Sequence, residues 1–308
     1  MGIELFENKK SCCGCGACAN ICPKGAITMK PDKWGYSYPV VDSSRCVSCG
    51  ACKVCSYQNG ISLHEPIRAY AVVNKTQQQL EKSASGGVFS AVATYFLKNE
   101  GVVYGAALDF EGGHPIAHLV GIDDASQLWR LQGSKYVQSA VEQTYKQAKQ
   151  NLDAGKKVLF SGTPCQIAGL YGYLKKEYTN LWTIDVICHG VPNLKFFDDY
   201  LSIEGKKRGG VPTGYSFRDK KRGWGMNARL DLRYLSGKEK STYIPARLTS
   251  YNTLFLDGDV YRENCYACPY ARKERVSDMT IGDFWGIERE HPELLKQSEF
   301  DEKKGISC

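Results

Sequence analysis

A run of cysteines near the N-terminus constrains this chain more than any other feature. Four cysteines have the spacing C-x2-C-x2-C-x3-C and precede a proline: Cys12, Cys15, Cys18, Cys22 and Pro23. In this pattern three thiolates bind one 4Fe–4S cluster, and the fourth binds the other cluster of a pair. A structural zinc site is the alternative, but it has no need of a proline after the fourth cysteine. Cys13 lies outside the spacing, and we expect that it is not a ligand.

A second run of cysteines supplies the partners that a pair of clusters requires. Its last gap is two residues long, and a serine replaces the proline: Cys46, Cys49, Cys52, Cys55 and Ser56. If the fourth cysteines cross over, Cys55 joins Cys12, Cys15 and Cys18, and Cys22 joins the rest of the second run. The shortened gap makes Cys55 the least typical ligand. The segments AITMK and YSYPVVD predict two short strands, so we expect residues 1–62 to form an α+β ferredoxin module with two clusters.

Composition and charge narrow the class of protein further. The chain has 308 residues, 14 cysteines and a formal net charge of +7, and its length predicts two domains. The start, MGIELFENKK, lacks the apolar region of a signal peptide, and no stretch approaches the ~18 apolar residues of a membrane span. Many cysteines without an export signal indicate reduced thiols, metal binding and a cytoplasmic location. The basic segments GKKRGG and RDKKRG belong to no nucleic-acid-binding module, so we expect no nucleic acid partner.

Residues 63–308 alternate predicted strands with predicted helices. The strands are expected at 68–74, 102–110, 117–122, 156–162 and 181–188, and the helices within 84–101, 140–155, 163–178 and 194–202. This alternation predicts an α/β domain whose ligands bind at the carboxyl ends of the strands. Thr163 and Asn193 fit helix N-caps, with Pro164 as a first helical residue. The last residues, KKGISC, read as the start of a strand, and we expect that a C-terminal portion is missing.

Further cysteines follow the predicted strands of this domain or form a C-x2-C pair. They are Cys165, Cys188, Cys265 and Cys268. Because the carboxyl ends of parallel strands meet at one edge of a sheet, we expect these thiols to lie close together. They predict a third 4Fe–4S cluster, with zinc as the runner-up. Two further interpretations stay open, namely buried cysteines without a ligand role and a thiol nucleophile beside a histidine.

Turns rich in glycine and serine are candidates for binding a cofactor phosphate. The residues are Ser85, Gly86, Gly87, Ser134, Lys135, Gly162 and Thr163. Backbone N–H groups at a helix start attract phosphate, and a lysine adds positive charge. A plain capping loop around Gly86 and Gly87 is the alternative. No G-x-G-x-x-G follows a predicted strand, so a nicotinamide site of the Rossmann type is not indicated.

Taken together, segments from nearly the whole chain resemble the coenzyme F420 hydrogenase/dehydrogenase beta-subunit family in its version with an N-terminal ferredoxin domain. They are, in order, CCGCGACANICPKGAI, SASGGVFSA, LQGSKYVQS, LFSGTPCQIAGL, DVICHGVPN and CYACPYARKERVSDMTIGDFWG. The resemblance implies an α/β domain that binds a flavin, taken as FAD, beside a 4Fe–4S cluster held by that domain's cysteines. Members exchange electrons between ferredoxin-type clusters and a two-electron acceptor, which for some is coenzyme F420. The chain departs from the family pattern at Cys52-x2-Cys55.

The sequence therefore predicts an iron–sulfur flavoprotein oxidoreductase that passes electrons between 4Fe–4S clusters and a two-electron acceptor. Its expected partner is a redox protein or a small-molecule electron acceptor, and the resemblance allows a hetero-oligomer. A non-catalytic relay subunit of a larger redox complex is the alternative function, and a cysteine-based transferase or sensor without flavin is a third. No residue is assigned a catalytic role, and coenzyme F420 as the acceptor rests on the resemblance alone.

Overall fold

The computed structural model describes residues 4–301 and 303–308. Its N-terminal part has the elements α1 (Ala17–Ile21), β1 (Ile27–Pro31), β2 (Ser37–Val41) and α2 (Ser56–Asn59). The strands β1 and β2 pair antiparallel, which confirms both predicted strands of the ferredoxin module. The cysteines lie on the loops and short turns around this pair. Gly14 and Gly16 have φ angles of 70° and 72°, which lets the backbone turn sharply between the cysteines.

The larger part of the chain alternates helices and strands. In chain order the elements are α3 (Gln77–Lys82), α4 (Val88–Lys98), β3 (Val102–Glu111), β4 (His114–Ile122), α5 (Thr144–Asp153), β5 (Val158–Gly162), α6 (Pro164–Leu174), β6 (Leu181–Val186), α7 (Leu194–Arg208), β7 (Val211–Ser216), β8 (Ala228–Arg233), β9 (Glu239–Ile244), α8 (Ser250–Asp257), β10 (Met279–Ile281) and α9 (Ile287–Glu290). Across the described ranges, none of these helices combines the length and the apolar character that crossing a membrane requires.

One mixed sheet forms the centre of this domain. Its strand order is β10-β6-β5-β3-β4, in which β4 pairs antiparallel with β3 and the other neighbours run parallel. The first three residues of β5, Val158 to Phe160, are at most 1% exposed, as expected for a strand covered on both faces. The predicted α/β class is thereby confirmed, and the carboxyl ends of β5, β6 and β10 lie at one edge of the sheet.

The caps that the sequence predicts fix the helices at this edge. Thr163 and Gln166 form a capping box at the start of α6, and Pro164 is its first residue. The Asn193 side chain accepts a hydrogen bond from the backbone N–H of Phe196 at 2.8 Å, which starts α7. Both N-cap predictions are confirmed.

The domain differs from the sequence-based expectation in several elements, among them the helices α3 and α8, which were not predicted. The predicted strand at 68–74 is wrong, because this segment forms one isolated bridge, between Val72 and Ser307, instead of a ladder. The antiparallel sheet β7-β8-β9 was not predicted. A register shift between Pro212 and Gly214 interrupts the alternation of β7, which hides the strand from a pattern of period two. The basic residues of 205–210 end α7, where they face the negative end of the helix dipole.

The ferredoxin module packs directly against α6 of the larger domain. A Cβ built on Gly172 would lie 2.4 Å from the carbonyl oxygen of Val54, and one built on Gly169 would lie 2.9 Å from the sulfur of Cys15. Side chains from the two parts also share one hydrophobic core, in which Cys15 and Val54 pack with Ile167. The glycines of α6 therefore let the cysteine loops approach the helix backbone.

Candidate functional site

The first cysteine run and the end of the second bring together a set of thiols that we call the proximal group. Its members are Cys12, Cys15, Cys18 and Cys55. Burial raises the pKa of Cys18, and the nearby thiols of Cys15, Cys12 and Cys55 raise it further. Burial and then Cys15 also raise the pKa of Cys55 to about 11. Neighbouring thiols oppose one another's ionisation, a cost that metal–thiolate bonds to all of them would offset. This set is the one that a crossover of the fourth cysteines predicts.

A second set of thiols, the distal group, lines a small cavity in the ferredoxin module. Its members are Cys22, Cys46, Cys49 and Cys52. Burial raises the pKa of Cys52, and its neighbours Cys22, Cys46 and Cys49 raise it further. Pro23 lies in the wall of the same cavity, whereas Cys49 is exposed to solvent. The distal group therefore has the four thiols that a second cluster would need, and one of them is exposed to solvent.

The sheet edge of the larger domain gathers a third group of thiols. Its members are Cys165, Cys188, Cys265 and Cys268. Cys165 lies in the first turn of α6, and its sulfur is 3.2 Å from the Thr163 hydroxyl. Cys188 follows β6 and is exposed at the cavity described below, but desolvation of its thiol and then Cys165, Cys265 and Cys268 raise its pKa to about 12. Burial, and then the thiols of Cys165 and Cys268, raise the pKa of Cys265 to about 12. The fold thus brings together the cysteines that the sequence selects.

Cys13, which the spacing leaves out, lies between the proximal group and the third group. Its side chain is buried. Hydrogen bonds with the thiols of Cys15 and Cys165 raise its pKa well above the usual value, and the bond from Cys13 lowers the pKa of Cys165. The spacing of the cysteines in the sequence did not predict that Cys13 lies between two groups of thiols. The two groups are thereby separated by little more than one side chain.

The thiols of each group are neighbours, but they do not converge on a position that one metal ion could occupy. Among residues 4–301 and 303–308, no three His, Cys, Asp or Glu side chains are placed to hold a single metal ion. A tetrahedral zinc ion needs its sulfurs about 2.3 Å from one centre. A 4Fe–4S cluster instead attaches each of its four cysteines to a different iron, so its ligands are more widely spread. Sets of four adjacent thiols fit this requirement.

A cavity of about 290 Å³ opens at the carboxyl ends of the parallel strands. Its volume is near the lower end of the range of about 300–1,000 Å³ that small-molecule sites occupy. The wall includes most of the residues predicted to bind a cofactor phosphate: Ser85, Gly87, Ser134, Lys135, Gly162 and Thr163. Cys165 and Cys188 line the same cavity. A molecule bound there would therefore lie beside the third group.

Gly86 is a predicted cofactor residue that does not line this cavity. A Cβ on Gly86 would lie 2.2 Å from the Val72 carbonyl oxygen and 2.6 Å from the Ser307 nitrogen. The structure thus gives Gly86 a packing role, and its contact with a cofactor stays a prediction. Gly87 is the N-cap of α4 and has a φ of 82°, a left-handed conformation that favours glycine with or without a ligand.

Lys135 lies in the cavity wall, and the pKa of its side chain is unusually low for a lysine. Its Nζ donates to the carbonyl oxygens of Arg130, at 2.9 Å, and Gln132, at 2.8 Å. Burial lowers the pKa of Lys135 to about 7, against a smaller upward effect of Asp109. Burial therefore makes the loss of the proton easier than in a free lysine, and an anion in the cavity would favour the charged form. Lys135 can both attract a phosphate and hold a proton at this wall.

Sequence reasoning missed two buried arginines near these groups. Arg218 forms an ion pair of 2.7 Å with Asp283, which lines the cavity. Arg262 donates to the backbone of Cys12 and to the side chain of Gln138. Both contacts join residues that are far apart in sequence, so no local spacing could predict them. Arg262 lies three residues before Cys265, and this closeness to a predicted ligand could have marked it as a candidate site residue.

Comparison with protein-family models gives two matches. The model that describes the C terminus of the coenzyme F420 hydrogenase/dehydrogenase beta subunit matches residues 155–307. The model described as a 4Fe-4S dicluster domain matches residues 11–59. The first match contains the whole third group, and the second contains the proximal and distal groups.

Two individual proteins illustrate the similarity. An uncharacterised ferredoxin of Methanocaldococcus jannaschii is 36% identical over 55 residues, which are 17% of this chain and 71% of that protein. A chain of the F420-reducing NiFe hydrogenase complex from Methanosarcina barkeri aligns with a TM-score of 0.45 and 14% identity. That alignment covers 72% of this chain and 72% of the other.

Proposed function

Because this chain belongs to the coenzyme F420 hydrogenase/dehydrogenase beta-subunit family and carries a 4Fe–4S dicluster domain, we propose that it is a flavin-dependent oxidoreductase. Family membership makes it an iron–sulfur redox protein that transfers electrons. The proposal adds a flavin, FAD, in the 290 Å³ cavity and a third 4Fe–4S cluster on Cys165, Cys188, Cys265 and Cys268. When bound, the clusters pass single electrons and the flavin exchanges them for electron pairs with the acceptor.

The proposal rests on the position of α6 between the thiol groups and the cavity. Cys165, in its first turn, lines the cavity and belongs to the third group. One turn later, Gly169 lies against Cys15 of the proximal group. The distal group lies on the exposed side of the ferredoxin module, where Cys49 is accessible. These contacts support a path from the distal group through the proximal and third groups to the cavity.

The cavity wall supplies two further functions in this proposal. The start of α4 presents backbone N–H groups beside Ser85 and Gly87, where a pyrophosphate would bind. Two-electron reduction also requires protons. Lys135, with a pKa near 7, holds a proton at the wall at neutral pH and can release it without a large cost.

The partners are part of the same proposal. Coenzyme F420 is the candidate acceptor because the matching family model is named for it. A redox protein, within a hetero-oligomer or as a free partner, is the candidate for contact with the distal group. The alternative, a relay subunit without catalysis, would bind its clusters but no flavin. The cytoplasmic location stays a prediction.

Rapid mixing under anaerobic conditions tests the proposed path. The parent protein, loaded with clusters and flavin, would be mixed with a reduced low-potential ferredoxin while flavin absorbance is followed. We expect flavin reduction in the parent and at least tenfold slower reduction in Cys188→Ser, with the ferredoxin module's clusters still loaded. Equal rates in both proteins would contradict the path through the third group. A parent protein that binds no flavin would favour the relay subunit.

A further inference from the structure

Arg262 is a fully buried arginine at the contact between the ferredoxin module and the larger domain. Its exposed fraction is 0%. The guanidinium donates from Nε to the Cys12 carbonyl oxygen at 3.0 Å and from one terminal nitrogen to the Gln138 amide oxygen at 3.3 Å. The other terminal nitrogen points at the Cys12 sulfur, 3.8 Å away. In the described part of the chain, none of these partners is a carboxylate.

Two other arginines with largely buried side chains in the described part of the chain are each paired with a carboxylate. Arg218 contacts Asp283 at 2.7 Å, and Arg275 contacts Asp185 at 2.9 Å. A buried charge without a counter-charge is strongly unfavourable, and an arginine cannot avoid it by losing its proton. Arg262 therefore needs a negative charge, and the Cys12 thiol is the neighbour that becomes negative when it binds iron.

The surroundings fix Arg262 in this position. The guanidinium carbon lies 4.0 Å from the centre of the Tyr38 ring, a cation–π contact with the ferredoxin module. A Cβ on Gly14 would lie 3.0 Å from the same carbon, so the loop between Cys12 and Cys15 closes directly over the charge. Backbone hydrogen bonds from Arg262 N–H to Val191, at 3.1 Å, and from Cys265 N–H to Arg262, at 2.8 Å, connect it to the third group.

We propose that Arg262 supplies the counter-charge of the proximal cluster and raises its reduction potential. The inference rests on the proximal ligand set of the proposed function. Reduction adds one electron, received from the distal cluster, which is oxidised by one electron, and the guanidinium keeps its proton throughout. A fixed positive charge beside Cys12 favours the more negative, reduced state of the cluster. Arg262 would thus make electron transfer from the distal to the proximal group more favourable through its charge.

The effect is expected mainly at the proximal group. The side chain of Arg262 contacts both the carbonyl oxygen and the sulfur of Cys12. Its contact with the third group is a hydrogen bond between backbone groups, from the Cys265 N–H to the Arg262 carbonyl oxygen, in which the guanidinium takes no part. A change at Arg262 should therefore shift one redox step strongly and a second step weakly.

The test is an anaerobic redox titration followed by electron paramagnetic resonance, with iron content measured in parallel. Arg262→Met removes the charge and retains most of the volume. We expect one midpoint to fall by 59 mV or more, which is a tenfold weaker reduction of a one-electron centre. Arg45→Gln is the matched control, because it removes an exposed arginine of the same module, and it should leave that midpoint near the parent value.

Gln138→Glu keeps the inference testable if Arg262→Met does not load its clusters. The new carboxylate would replace the amide oxygen that already accepts from Arg262, and it should lower the same midpoint. Arg262→Lys keeps a positive charge and should lie between parent and Arg262→Met. The inference would be overturned if the midpoint potential were unchanged in cluster-loaded Arg262→Met or in Gln138→Glu. It would also be overturned if the midpoint fell equally in Arg262→Lys and Arg262→Met. A parent without a proximal cluster would instead refute the ligand set itself.

Discussion

The contact between α6 and the ferredoxin module can be tested with one methyl group. Gly172→Ala places a Cβ 2.4 Å from the Val54 carbonyl oxygen, whereas ordinary contacts begin near 3.4 Å. Within a helix, alanine is otherwise favoured over glycine by about 1 kcal/mol. An overpacked site costs about 1–3 kcal/mol, and here the obstacle is backbone, which cannot rotate away. We therefore expect a net loss of up to about 2 kcal/mol in the free energy of unfolding, and not the gain that helix propensity alone predicts.

Thermal unfolding of the anaerobically purified, cluster-loaded protein measures this difference. The control is Gly225→Ala, because a Cβ there meets its nearest neighbour, Asn227, at 3.8 Å and the backbone is not left-handed. The control should be neutral or slightly stabilising. Gly172→Ala should unfold at a lower temperature and lose iron from the proximal group faster to a chelator. A rise in the unfolding temperature of Gly172→Ala, equal to that of the control, would refute the direct contact with Val54.

Further predictions concern individual cysteines and Lys135. Cys18→Ala should lose about four irons, because a cubane lacks one ligand, whereas Cys13→Ala should retain its iron but slow electron transfer to the third group. Equal iron loss in both variants would contradict the assignment of the first run. Flavin affinity should be constant below pH 7 and should fall as pH rises above it, since Lys135 loses its proton with a pKa of about 7. In titrations by fluorescence, Lys135→Met should bind more weakly with a flat pH profile, and a parent profile that is equally flat would contradict a phosphate contact.

Much of this site could be predicted from local sequence. Cysteine spacing selected two sets of thiols, and the ends of predicted strands together with a C-x2-C pair selected a third. The fold brings each set together, and the cap at Thr163 placed Cys165 in the first turn of α6. What local sequence could not predict was contact between distant segments. Arg262 is separated from Cys12 by most of the chain, and Cys13 gained its place because α6 packs on the module's loops.

The roles of the glycines in the turn before α4 could not be predicted from the sequence for a related reason. A glycine can be needed because a ligand approaches the backbone, because the backbone is left-handed, or because a neighbouring segment packs closely. The sequence alone does not show which of these reasons applies. The structure separates them: Gly86 packs against Val72, and Gly87 is left-handed at a helix start. The missed strand β7 has a similar origin, because the register shift after Pro212 removes the alternation by which a strand is recognised. Strand β8 does alternate regularly between buried and more exposed residues, but it was overlooked in the sequence.

Iron and flavin content of the anaerobically purified chain tests the central claim most directly. Three groups of four cysteines predict about twelve irons per chain, at four per cubane. The cavity beside Cys165 and Cys188 predicts about one flavin per chain. We expect both values together, with the flavin released as FAD on unfolding. About eight irons would refute the third cluster, and full iron loading without stoichiometric flavin would contradict the proposed oxidoreductase.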